Sequence, residues 1–89
     1  MVVQETNDAE AIALRALGWT VGDDVRASRL LALTGLTPET LREKVGEPDL
    51  LAAVLRFLEA HEPDLVACAE ALGTTPPRFV EMRRRLETR

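Results

Sequence analysis

One cysteine, one histidine, one serine and no tyrosine stand among the 89 residues of this chain, and each shortage excludes a kind of chemistry. The single thiol, Cys68, cannot close an internal disulfide. His61 has no cysteine at a metal-ligand spacing, so a structural zinc site has no basis, and no metal or cofactor is expected. Ser28 lies near Arg26 and Arg29 with no base within helical reach, which removes a serine-hydrolase arrangement. Asp23 and Asp24 read as a helix cap with a dipole partner rather than as a catalytic carboxylate pair. None of the five glycines belongs to a Gly-rich loop between a strand and a helix, so nothing cradles phosphate. The longest apolar run, Leu50 to Leu55, has six residues where a membrane-spanning helix needs about 20. Large side chains are scarce as well. Only Trp19, Phe57 and Phe79 are aromatic, so fourteen Leu, twelve Ala and eight Val must build the core, which is helix-bundle material.

What remains is an ordinary globular composition, 46% apolar and 29% charged. A chain this short buries only about 60% of its unfolded surface and cannot split that burial between two cores. One domain follows. The formal net charge of −4 works against non-specific attraction to phosphate polymers. No charged N-terminal region is followed by an apolar run and a small-residue cleavage site, so the cytoplasm is the expected compartment.

Glycine and proline punctuate the chain at intervals of about one short helix. Residues 1–6 precede any start signal and are expected to be flexible, leaving 7–89 as a single helical domain. Asn7 suits an N-cap, with Glu10 placed to complete a capping box. Leu14, Leu17 and Val21 then read as one apolar face, which carries the first helix through Gly18, at about 1 kcal/mol, to an end near Gly22. Asp23 or Asp24 caps a second helix, in which Ala27, Leu30, Leu31 and Thr34 form the inner stripe and Gly35 supplies a left-handed stop. Leu36 is expected to fold back on its last turn. Thr37-Pro38-Glu39 offers a capping hydroxyl, a proline whose missing amide costs nothing and an acid facing the helix dipole. That third helix stops at Gly46. Glu47-Pro48-Asp49 opens the fourth, whose Leu50, Leu51, Val54, Leu55, Phe57 and Leu58 make an apolar surface broad enough for the centre of a bundle. Pro63 opens the fifth after His61, turning Leu65, Cys68, Ala69 and Leu72 inward and ending at Gly73. Thr75-Pro76 starts the sixth, with Phe79, Met82 and Leu86 inside. No segment alternates long enough to be a strand. The fold class is therefore all-α, a compact bundle of five to six short helices with helix-turn-helix-like hairpins.

One pattern occurs twice. Gly35-Leu36-Thr37-Pro38 with Leu41 matches Gly73-Thr74-Thr75-Pro76 with Phe79 at a constant offset of 38 residues. Two copies fall short of a stacked solenoid, and the match is almost entirely stop-and-start chemistry, so it reads as a recurring hairpin. Ala69, Gly73 and Phe79 also satisfy the spacing of a DNA-binding helix-turn-helix. On that alternative the sixth helix would offer Thr75, Pro77, Arg78 and Glu81 to base edges, of which only Arg78 is a good base reader, and Arg83, Arg84 and Arg85 to phosphates. Residues 75–89 sum to +3 and 25–46 to +2, against −4 for 1–24 and −5 for 47–74. The acidic supporting helix would repel phosphate, so nucleic acid is possible without being favoured. The arginines equally complement the negative end of their own helix.

Three single residues have bland readings that outweigh the sharp ones. Trp19 plugs the gap between the first helix and the bundle rather than anchoring a partner. Cys68 is an inert core thiol. His61 caps helix-end carbonyls. With Ala9 to Trp19, Leu30 to Pro38 and Leu50 to Leu58 taken together, the sequence resembles a family of short bacterial proteins of unknown function. That resemblance covers nearly the whole chain after its first residues and implies a helix-rich single domain, with no activity, cofactor or ligand attached. The Thr75-Pro76-Pro77 start departs from the single proline or acid expected there. The leading functional reading is a cytoplasmic protein–protein interaction module without catalytic activity, a monomer or weak homodimer, whose partner is another, unidentified protein.

Overall fold

The computed structural model describes residues 5–88, with side chains from Asp8 to Thr88. Six helices follow one another: α1 (Glu5–Val21), α2 (Asp24–Thr34), α3 (Pro38–Lys44), α4 (Pro48–Glu59), α5 (Glu62–Leu72) and α6 (Pro76–Glu87). No strand occurs among the described residues. The helix ends obey local chemistry. Asp23 accepts a hydrogen bond from the Arg26 amide at 3.0 Å and caps α2, and Thr37 Oγ1 accepts from the Thr40 amide at 3.1 Å and caps α3. Pro38, Pro48 and Pro76 each occupy the first turn of a helix, where no amide is needed. Gly35 and Gly73 end α2 and α5 with φ of 74° and 73°, the left-handed conformation that side-chain-bearing residues avoid.

Two expected starts change. Helix α1 begins at Glu5, so Asn7 lies inside the helix instead of capping it, because neither Glu5 nor Thr6 is a residue that stops a helix. The expected flexible segment thus loses residues 5 and 6 to α1, and residues 1–4 lie outside the described residues. His61 is the N-cap residue of α5, but its side chain makes no capping bond and bonds no carbonyl; its Nε2 lies 3.9 Å from the Asp64 carboxylate. The carbonyls at the end of α4 beside it are taken by backbone amides instead, Arg56 O by Ala60 and Leu58 O by His61 itself, each at 3.0 Å.

Helices α1, α4 and α6 pack against one another and form the centre, α2 lies against α1 and α4, and α5 touches all three central helices. As its composition requires, α4 buries Leu50, Leu51, Ala52, Val54, Leu55, Phe57 and Leu58. Phe79, Met82 and Leu86 face inward from α6, and Leu65, Cys68 and Ala69 from α5. Helix α3 buries no residue at all.

The buried face of α1 keeps only Leu17 of the Leu14, Leu17 and Val21 face the periodicity suggests. Ala9, Ala13, Ala16, Leu17 and Thr20 are buried, while Leu14 and Val21 stay 43% and 42% exposed. Short side chains let α4 and α6 come close to α1 and fill the space with their own leucines, Phe79 and Met82. The buried Thr20 hydroxyl donates to the Ala16 carbonyl at 2.8 Å, so the polar atom is satisfied within its own helix. On α2, only Leu30 of the expected stripe is fully buried, and Leu36 packs against the core as expected.

Candidate functional site

The α5–α6 hairpin adopts the local geometry that its spacing demands. Ala69 and Phe79 are buried and Gly73 is left-handed. The four arginines of α6 do not gather into one free patch. Arg78 sits exposed at the start of α6 and reaches Glu81 at 3.3 Å. Arg85 bonds the same Glu81 at 2.8 Å, so one carboxylate lies between two of the expected contact residues. Arg83 turns back to α4, where Nε and one terminal nitrogen donate to the two oxygens of Glu59 at 2.7 and 3.1 Å, and its other terminal nitrogen donates to Glu87 at 2.7 Å. This fork geometry ties α6 to α4, and the Glu59 hydrogen bonds raise the Arg83 pKa further above its ordinary value. Arg56 of α4 also pairs with Glu87. Arg84 alone of the four is exposed with no ion-pair partner among the described residues.

Sequence reasoning missed Glu59 because it lies 24 residues from Arg83 and no local spacing links them, whereas the Glu81 and Glu87 pairs within α6 follow the ordinary three- and four-residue spacing of a helix. A second cluster was equally hidden. Arg26 lies over the Trp19 ring, 3.6 Å from its centroid, and donates to the Trp19 carbonyl at 2.7 Å. One residue therefore locks the corner between α1 and α2 by cation–π attraction and a hydrogen bond together. Trp19 sits half-buried at the edge of the core, its ring between the bundle and that guanidinium. Arg29 of α2 pairs with Asp64 of α5. Cys68 lies buried behind this cluster, and burial pushes its thiol up to about 11, which keeps it protonated and unreactive at neutral pH. Ser28 is exposed.

No group of three or more His, Cys, Asp or Glu side chains is placed to hold a metal ion among the described residues. None of the described helices is long and apolar enough to cross a membrane. An open groove lies where α2 ends and α4 begins, with Leu36, Leu50 and Ala53 at its base and Lys44, Glu47 and Asp49 on its walls.

The largest exposed apolar side chains fall on α1 and α2. Val25 and Leu33 are 68% and 72% exposed, and Leu14 and Val21 add to them. Helix α1 thus carries apolar residues on a buried face and on an open flank beside it. Comparison with known families then decides the chain's kinship, since the profile of a family described as "Protein of unknown function (DUF3572)" matches residues 6–89. The chain belongs to the DUF3572 family. No curated protein and no solved structure matches it. Membership in DUF3572 agrees with the resemblance read from the sequence and adds no chemistry to it.

Proposed function

We propose that this DUF3572 protein is a protein–protein interaction module that works in the cytoplasm without catalysis, offering the outer surface of α1 and α2 to another protein. The observation that carries the reading is the open apolar side of α1, with Leu14 and Val21, next to the still more exposed Val25 and Leu33 of α2. Apolar side chains left this open gain most when a partner removes them from water. The charged groups support the same reading, because Arg83, Arg29 and Arg26 are spent on holding helices together rather than on converging upon a reacting centre.

A pull-down from the native cell with the wild-type chain and with Leu33→Glu tests it. A protein captured by the first and lost by the second, with helicity and Tm unchanged, supports the module; a catch of nucleic acid or a small molecule with no protein contradicts it. The alternative, a helix-turn-helix nucleic-acid binder using Arg78, Arg84 and the Arg83–Arg85 cluster, rests on the exposed Arg78 and Arg84. Phosphate-driven binding weakens steeply with salt, so labelled duplex DNA titrated at low and moderate salt separates the two. No binding at low salt removes the alternative.

A further inference from the structure

We infer that the open side of α1 pairs with the same helix of a second copy of this chain, antiparallel and crossing at Gly18. The inference rests on the interaction reading above and names the occupant of one of its two surfaces.

Gly18 lies inside α1, three residues before its last residue, Val21, without the left-handed conformation that would require glycine. It is exposed, and a Cβ placed on it would meet nothing within 4 Å. Glycine weakens a helix interior, and here the chain gains no close internal contact in return. The missing side chain therefore serves an approach from outside.

The residues around it fit that approach. Ala11, Leu14, Gly18 and Val21 recur at three- and four-residue intervals, so they share one stripe, and all four are exposed. Their stripe lies opposite the buried Ala9, Ala13, Ala16 and Thr20. A two-fold axis at Gly18 brings each residue before the crossing level with the residue equally far after it in the second copy. At about 100° per residue, Leu14 and Val21 lie on one flank of Gly18, and Arg15 and Gly22 on the other. Leu14, about 6 Å along the axis from Gly18, then packs beside Val21 of the other copy, the two Gly18 positions face each other, and the contact is self-complementary, as a two-fold interface requires.

Charge chooses the antiparallel arrangement. Arg15, three residues before the crossing, has only the Leu72 carbonyl at 3.4 Å as a partner among the described residues. Antiparallel pairing carries it toward the acidic Asp23–Asp24 turn that follows α1 in the second copy, and Asp24 is exposed with no ion pair among the described residues. Parallel pairing would place Arg15 against Arg15.

Sedimentation equilibrium of the full chain over a wide concentration range tests this, together with two variants. The wild-type mass should rise from 9.8 kDa toward twice that value as concentration rises. Gly18→Leu should stay monomeric throughout, with its helicity kept. Gly18→Ala should give opposite signs: a dilute monomer that melts about 4–8 °C higher, through better helix propensity, and an association weakened several-fold. A wild type that is monomeric at every concentration overturns the inference, as does a dimer that Gly18→Leu leaves intact. A monomer that still captures a different protein, lost in Leu33→Glu, sinks the second copy while leaving the interaction module standing; a monomer that captures none sinks both.

Discussion

The α2–α3 and α5–α6 hairpins share their punctuation and differ in almost everything that packing decides. Both stop on a left-handed glycine and restart on Thr-Pro. Yet Phe79 of α6 is fully buried, while Leu41, at the matching place in α3, is only partly covered and α3 buries nothing. The stops themselves differ in detail. At Gly73 the amides of Gly73 and Thr74 bond the carbonyls of Glu70 and Ala69 at 3.2 and 2.9 Å, a Schellman motif, whereas at Gly35 a single bond runs to Leu31 at 2.9 Å. Thr37 caps through its side chain and Thr75 does not. Helix α6 follows its weaker cap with Phe79, Met82 and Leu86 on one face, and α3 follows its stronger cap with Leu41 alone. Local chemistry places the ends of a helix, and the apolar payload that follows decides whether the helix enters the core.

The largest test of that contrast is truncation at the matching apolar positions. Phe79→Ala should cost about 3–5 kcal/mol in urea unfolding, the usual range for a buried phenylalanine, and Leu41→Ala less than about 1 kcal/mol, since partial burial contributes in proportion to area. Comparable losses at the two sites would break the distinction. The stops should behave alike. Gly35→Ala and Gly73→Ala should each cost about 1–2 kcal/mol, because both substitute into a left-handed backbone, and a thermal or urea titration reads both.

Much of this was legible in the residues alone, and the part that was not has a definite physical cause. Thr37-Pro38, Pro48, Gly35 and Gly73 sit where sequence chemistry puts them, because caps and stops are satisfied within a few residues. The buried side of α1 was misread, because leucine spacing draws the eye to Leu14 and Val21 while the approach of α4 and α6 favours the alanines. Arg83, Arg84 and Arg85 read as one basic cluster with Arg78 apart from it as a base reader, yet Glu59 takes Arg83 and Glu81 takes Arg78 and Arg85. Tertiary partners distant in sequence decided the buried side of α1 and the place of Arg83, whereas Glu81 pairs within its own helix.

Smaller effects sharpen the same comparison. Arg83→Met should loosen the attachment of α6 to α4 by about 1 kcal/mol, the scale of a well-formed, partly covered ion pair, and a double-mutant cycle with Glu59→Gln should recover most of it. No charged tie of this kind joins α3 to the core among the described residues. Thr37→Ala should cost about 1 kcal/mol through the lost cap, and Thr75→Ala only a few tenths, both measured by the shift of the urea midpoint. Equal values would mean that Thr75 caps in solution as Thr37 does.

Native-state hydrogen exchange across a urea series tests the central contrast most directly, because it reads the stability of each helix separately. The amides of α6 from Phe79 to Leu86 should exchange only through global unfolding, together with those of α4, and those at the end of α3 should exchange through a local opening that urea hardly affects. Protection in α3 equal to that in α6 would contradict the account.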